Sequence, residues 1–361
     1  MNAASPLRRR TTVAKTSLVE SLPSLCPLQG AIEALATTGG IEARGAIFTR
    51  NEVVNFLLDL VGYTSDKKLY TLTLLEPSFG QGDFLLSAIE RLLISWRNSA
   101  SKKDAVKALT PCIRAVELHR DTFLKTQSEV LELLLNNGIK KAAALTLVNT
   151  WLINDDFLLT ELPDGFDVVI GNPPYVRQEL IPDILLAEYR SRYNTIYDRA
   201  DLYIPFLERS LLSLSKGGSL GFICADRWMK NRYGGPLRKL VSEQFHLKVY
   251  VDMVNTQAFH SDVIAYPAIT IITRGKGKTT RIAHQPSLDQ KSLQTLARAL
   301  TAPKIIDGTN VQSMDGVVCG AEPWILDSSD QLGVIRRLEA AYPLLEETGC
   351  KVGIGVATGA G

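Results

Sequence analysis

Leu72-Thr73-Leu74-Leu75-Glu76-Pro77-Ser78-Phe79-Gly80-Gln81-Gly82-Asp83-Phe84 decides the fold. Its first part, apolar and closed by an acid, reads as a short buried strand. Its second part is a turn in which Gly80 and Gly82 permit a tight reversal and close approach of the backbone to a ligand. Leu85 to Trp96 then places apolar residues at helical spacing. Strand, Gly-x-Gly turn and helix make the opening of a nucleotide-binding βαβ unit. There is no third glycine at dinucleotide spacing and no Walker lysine, which argues against NAD and against ATP.

Downstream the pattern repeats. Cys112 to Val116 reads as a second strand, ending in Glu117, an acid at the tip where a ribose hydroxyl pair is normally gripped. A helix around Thr122 to Leu135 and a strand from Leu145 to Ile153 lead into Asn154-Asp155-Asp156-Phe157. Phe166-Asp167 opens a strand through Val168-Val169-Ile170-Gly171, and Asn172-Pro173-Pro174-Tyr175 follows. Two prolines remove two N–H donors and push their predecessors toward extended backbone, so the chain leaves the sheet as a stiff loop. Asn172 supplies a carbonyl acceptor and Tyr175 a flat face. Together they suit an –NH₂ group on a planar ring.

Beyond this loop, residues 176–200 are polar and irregular, with Arg177, Arg190, Arg192 and Arg199. Asp201 to Leu214 is an amphipathic helix closed by Lys216-Gly217-Gly218, and Ser219 to Cys224 a strand. Arg227, Lys230, Arg232, Arg238 and Lys239 occur with no acid among them, as either a solvated face or a phosphate-contacting segment. Strands are expected at Lys248–Asp252 and Tyr266–Ile272, a basic hairpin turn at Gly275–Thr279, and a helix at Asp330–Tyr342. Upstream, helices are expected at Leu28–Ala36, ending at Gly39-Gly40, and at Glu52–Val61, with Thr49 as N-cap of the latter.

The chain of 361 residues is long enough to bury a large core. A net charge of +2 does not announce a nucleic-acid binder by itself. Cys26, Cys112, Cys224, Cys319 and Cys350 are scattered without metal spacing, as expected of reduced, buried thiols in a cytoplasmic protein. No apolar run reaches membrane-spanning length, and the start, with Arg8-Arg9-Arg10, lacks the apolar core of a secretory signal. No metal site and no membrane partner are expected.

The run Glu76-Pro77-Ser78-x-Gly80-x-Gly82-x-Phe84 resembles motif I, and Asn172-Pro173-Pro174-Tyr175 motif IV, of the amino-group methyltransferases, above all the N6-adenine DNA methyltransferases of restriction-modification systems. Cofactor motifs precede the catalytic loop, and Gly353-Ile354-Gly355-Val356-Ala357-Thr358-Gly359 resembles the opening of a target-recognition region. That order is similar to the gamma, TaqI-like class, over roughly residues 41–275 and more weakly to 361.

The resemblance implies an α/β, Rossmann-like S-adenosylmethionine-dependent fold with a seven-stranded, mainly parallel sheet and helices on both faces. It implies S-adenosylmethionine binding by Thr49, Glu76, Pro77, Gly80, Gly82, Phe84, Glu117, Asp156, Phe157 and Asn172. Thr49 would hold the methionine end, Glu117 the ribose, Asp156 the adenine amino group and Phe157 the adenine ring. Thr49-Arg50 stands where the family usually has Thr-Pro. Catalysis falls to Asn172, Pro173, Pro174 and Tyr175, with Phe259 on the second face of a flipped adenine.

The implied organisation is an N-terminal arm (1–40), a catalytic domain (41–275), a connecting region (276–345) and the start of a target-recognition domain (346–361), in a chain cut from a longer one. Double-stranded DNA is the expected partner, and a cognate restriction endonuclease a candidate one. The rival readings are a protein-glutamine or ribosomal-RNA methyltransferase sharing the Asn-Pro-Pro-Tyr motif, or the modification part of a bifunctional restriction enzyme.

Overall fold

A computed structural model gives the fold and describes residues 26–37, 47–99, 104–260 and 266–326, with scattered positions between 334 and 353. The helices are α1 (Pro27–Ala36), α2 (Asn51–Leu60), α3 (Asp83–Arg97), α4 (Ala105–Leu109), α5 (Arg120–Asn136), α6 (Lys141–Trp151), α7 (Asp183–Arg192), α8 (Tyr203–Leu212), α9 (Arg227–Lys230), α10 (Gly235–Gln244) and α11 (Gln290–Thr301). The strands are β1 (Leu74–Glu76), β2 (Ile113–Glu117), β3 (Leu152–Asn154), β4 (Phe166–Gly171), β5 (Leu214–Ala225), β6 (Phe245–Asp252), β7 (Pro267–Arg274), β8 (Thr279–His284) and β9 (Gln312–Asp315).

Successive side chains in a strand point to opposite faces, and here both faces are apolar. Leu74, Val168, Ile170, Val249 and Val251 pack with residues of α2, α3, α5 and α6. Leu75, Val169, Leu220, Phe222 and Tyr250 pack with residues of α1, α7, α8 and α10. The result is one sheet in the order β3-β2-β1-β4-β5-β7-β6-β8-β9. Neighbours from β3 to β5 run parallel, and β7 lies antiparallel between β5 and β6. Those seven strands form the seven-stranded, mainly parallel Rossmann-like sheet expected from the sequence.

The sheet does not stop there. β8 pairs parallel with β6 and β9 antiparallel with β8, while α11 packs on α2. The stretch read as a connection from 276 onward thus supplies three elements to the same body. Because β6 separates β7 from β8, Gly275–Thr279 is a crossover rather than a hairpin.

Three other expectations are corrected. Leu145–Ile153 is mostly α6: Ala144, Leu147, Val148 and Trp151 are buried at helical spacing, and only Leu152–Asn154 is strand. Residues 176–200 are not irregular throughout, since α7 buries Leu185, Leu186 and Tyr189. The helix expected at Leu28–Ala36 is found as α1, which buries Ala31 and Leu35 and packs against α7. Of the five free cysteines, Cys112 and Cys224 are buried and Cys26, Cys319 and Cys350 are exposed. Arg8-Arg9-Arg10, Gly39-Gly40, most of the helix expected over 330–342 and the glycine-rich close from 354 lie outside the described residues.

Gly221 is where α2 presses hardest on the sheet: a Cβ there would sit 2.4 Å from Val61 Cγ1 and 2.9 Å from Leu57 Cδ2. Gly221→Val should therefore destabilise the chain by about 1–3 kcal/mol through overpacking, read as a lowered melting temperature. An unchanged melting curve would mean that α2 is not seated on β5.

Candidate active site

From β1 the chain walks outward through β2 and β3, then returns to β4 on the other side of β1. The two halves diverge at the C-terminal ends of β1 and β4, the place where open α/β sheets bind ligands. A cavity lies there, lined among others by Glu76, Pro77, Gly80, Asp83, Phe84, Glu117, Asp155, Asp156, Phe157 and Asn172.

The turn after β1 wraps one wall. Gly80 and Gly82 have φ of +50° and +86°, in the left-handed region that glycine alone enters without strain. Gly82 also has no room: a Cβ would meet Thr126 Cγ2 at 2.9 Å. The Thr126 hydroxyl donates to the Gly80 carbonyl (2.9 Å), tying the turn to α5.

The wall is strongly acidic. Glu117 accepts from the Gly80 N–H and the His119 N–H, both at 2.8 Å. Burial raises its carboxyl against the pull of those bonds. Glu76 is buried, with Oε2 lacking any hydrogen-bond partner. Its carboxyl is held well above the ordinary range by burial and by Asp83 and Glu117. Asp83, in the first turn of α3, accepts from the Thr49 N–H at 2.9 Å and is itself raised by burial. Asp156 accepts from the Leu158 N–H (2.7 Å) and from the Tyr189 hydroxyl, and burial raises it too. Carboxylates gathered at one cavity, one of them with an unpaired oxygen, call for a cation.

Asn172 stands at the rim. Its Nδ2 donates to the Ile47 carbonyl at 2.9 Å, with Thr49 Oγ1 at 3.4 Å. Only an –NH₂ can donate to a carbonyl, so the amide orientation is fixed and Oδ1 is the free end. Oδ1 is buried and has no partner.

Two residues on, the loop changes sides. Pro174 lines the acidic cavity, whereas Tyr175 lines a separate, open hollow with Arg177, Glu179, Arg199, Asp201, Arg227 and Tyr233. The Tyr175 ring packs 6.2 Å from Tyr203, whose hydroxyl is 2.9 Å from that of Tyr233. Pro173 is buried beneath the loop.

Two expected positions differ. Thr49 is not a side-chain cap: Arg50 is the N-cap of α2, and Thr49 is buried on the cavity wall. Arg50 has φ −64° and ψ 144°, values open to proline, but its N–H donates to the Ala258 carbonyl and its Nε to the Phe259 carbonyl. Phe259 pairs with Thr49 through the backbone, which turns its ring into the core rather than toward Tyr175. It lines neither the cavity nor the hollow.

The sequence assigns no role to Asp83, Asp155, Leu35, Tyr189 or Phe206, all of which line the cavity. The spacing of Leu185, Leu186, Tyr189 and Tyr193 was the available signal for α7 and hence for Tyr189.

Residues 11–259 match the Eco57I restriction-modification methylase family. The chain is 64% identical over 338 residues to the type II methyltransferase M.PaeR7I of Pseudomonas aeruginosa, covering 93% of this chain and 59% of that protein. It is 55% identical over 323 residues to the type II methyltransferase M.XhoI of Xanthomonas vasicola, covering 88% and 59% respectively. The chain thus spans about three-fifths of these relatives' length, 59% in each case. Among solved structures, the M protein of the type I restriction enzyme EcoKI superposes with a TM-score of 0.54 over 84% of this chain and 73% of that one, at 13% identity.

Proposed function

The chain belongs to the Eco57I restriction-modification methylase family, and on that footing we propose that it is the catalytic part of a gamma-class DNA methyltransferase. The cofactor is S-adenosylmethionine and the product N6-methyladenine, formed on a base flipped from duplex DNA. The observation that carries the reading is Asn172: a buried, partnerless carbonyl oxygen on the wall of the acidic cavity, three residues before the Tyr175 that lines the hollow.

The cavity suits this cofactor on its own chemistry. S-adenosylmethionine bears a sulfonium and an ammonium, and Glu76, Asp83, Glu117 and Asp156 supply the opposing charge. The glycine turn admits close backbone approach, Glu117 would hold the ribose hydroxyls, and Phe157 and Pro77 would flank the adenine. When bound, S-adenosylmethionine supplies an electrophilic methyl group.

The chain's own part is positioning. Adenine N6 is out of reach inside a duplex, and flipping the base costs a few kcal/mol. The Tyr175 ring offers stacking in return, worth about 1–3 kcal/mol for a base on an aromatic face. Asn172 Oδ1 accepts one N6 hydrogen and a proline carbonyl the other. These bonds localise the nitrogen lone pair and aim it at the cavity. Tyr175 stays a neutral phenol, because burial raises its hydroxyl far above the usual value. Phe259 has no place in this assembly as the ring stands.

The type II methyltransferase relatives favour DNA over protein glutamine or ribosomal RNA as the substrate. Nucleoside mass spectrometry of DNA from a host lacking adenine methylation, with and without this gene, tests it. N6-methyladenine that appears only with the gene is the expected result; methylcytosine instead would overturn the base assignment.

The acids also set a pH dependence. Burial raises Glu76, Asp83, Glu117 and Asp156. The folded chain therefore holds protons that the unfolded chain has released, and ligand-free stability falls as pH rises out of the ordinary carboxylate range. A cationic ligand binds the ionised form, so its stabilising effect should grow over the same interval. The melting-temperature gain from S-adenosylmethionine should increase between about pH 5 and about pH 7.5. A gain that shrinks with rising pH would remove the acidic wall from cofactor binding.

A further inference from the structure

The hollow beside Tyr175 holds more positive charge than the flipped base requires. The structure sorts the basic residues of residues 176–239 into those already engaged and those that are not. Arg192 pairs with Glu188 at 2.7 Å, and Lys239 lies 4.0 Å from Glu243. Lys230 lies 3.9 Å from Asp226, and Arg232 bonds to the Tyr197 hydroxyl. Arg238 is buried, donating to the carbonyls of Trp228, Asn231 and Ala321.

Arg209 donates to the carbonyls of Phe157 and Thr160, and Arg190 and Lys216 are not among the residues lining the hollow. Arg177, Arg199 and Arg227 remain. All three line the hollow, from the loop after the Asn-Pro-Pro-Tyr run, the loop before α8 and the first residue of α9. All three are exposed, and among the described residues none of their side chains makes a hydrogen bond or ion pair. Arg227 stacks on the Tyr266 ring with its guanidinium carbon 4.9 Å from the centroid, which orients the fork. The hollow's acids are Glu179 and the half-buried Asp201, whose carboxyl is raised by burial and by Glu179 and lowered by Arg177 and Arg227. The Tyr175 hydroxyl, buried beside Cys224 and Ala225, finds no partner of hydrogen-bonding geometry. A hollow of about 780 Å³ is of nucleotide size.

We propose that Arg177, Arg199 and Arg227 form a phosphate clamp that grips the DNA backbone on either side of the nucleotide held at Tyr175. The inference rests on the DNA-methyltransferase reading and adds to it which side chains hold the extruded strand. Three forks converging from separate segments fix the strand's position, whereas base identity is left to Asn172 and Tyr175. The engaged residues, Arg192, Arg238 and Lys239, stand outside the clamp.

Binding of residues 1–361 to a short duplex oligonucleotide, followed against salt concentration, tests the clamp. Each of Arg177→Gln, Arg199→Gln and Arg227→Gln should lower the salt slope by about 0.7–0.9, and the Lys variants should restore it. Arg192→Gln should leave the slope unchanged. Calorimetry should give the wild-type affinity for S-adenosylmethionine, and thermal melts the wild-type stability, in all of them. If the wild type binds DNA and the triple Gln variant keeps its slope, the clamp is overturned and the function stands. If the wild type binds S-adenosylmethionine but shows no salt-dependent DNA binding, the DNA reading falls and takes the clamp with it.

Discussion

Asn172→Ala is expected to cut methyl transfer by about 10²–10³-fold or more while leaving S-adenosylmethionine affinity near that of the wild type. The amide's two ends have separate duties. Nδ2 is spent on the Ile47 carbonyl, which fixes the side chain, and Oδ1 is left buried without a partner. Removing the group deletes an acceptor that matters only when an amine is presented, so the loss should fall on kcat more than on cofactor binding. Single-turnover kinetics together with calorimetry separates the two. A variant with near-normal turnover would end the assigned mechanism, and one that lost the cofactor would place Asn172 on the cofactor side alone.

Glu117→Ala and Asp156→Ala carry the second large effect, a loss of cofactor affinity of about 1–3 kcal/mol each. Glu117 does two things at once: it faces the cavity and accepts from the Gly80 and His119 N–H groups. Alanine would orphan both amides and loosen the glycine turn. Asp156 likewise holds the Leu158 N–H and the Tyr189 hydroxyl, so its removal unseats α7 from the cavity wall. Glu76→Gln separates charge from shape. It should weaken binding of S-adenosylmethionine more than binding of the demethylated product, which lacks the sulfonium. Unchanged affinity in all three would mean that the cofactor lies elsewhere.

The parts of the molecule that could be read from the sequence are those where chemistry forces the local pattern. The turn from Glu76 to Phe84 needs left-handed backbone at Gly80 and Gly82, and the sheet needs the apolar run Val168-Val169-Ile170 of β4. Asn172 and the prolines leave the sheet because they cannot stay in it. Short elements were harder. β3 has three residues, and the helix that precedes it is as apolar as a strand. α7 is hidden by a sequence whose polar residues outnumber its buried ones, although Tyr189 reaches the cavity from it.

Long-range pairing was not visible at all. Nothing local in Phe259 says that its backbone will bridge Thr49 and its ring face inward. Nor do the arginines of residues 176–239 announce which of them are already engaged. Arg238 and Arg227 look alike in the sequence, yet one is buried under three carbonyls and the other faces the hollow. The continuation of the sheet into β8 and β9 was equally unforeseeable, because its register is set by β6 and not by the turn that enters it.

One assay decides whether an amine is handed across Asn172 from the hollow to the cavity. Residues 1–361 are incubated at low salt with unmethylated DNA and tritiated-methyl S-adenosylmethionine, alongside Asn172→Ala, and the DNA is digested to nucleosides. The prediction is label in N6-methyldeoxyadenosine with the wild type, slow if need be, and none with the variant. Label in a methylated cytosine, or equal label with both proteins, would contradict it.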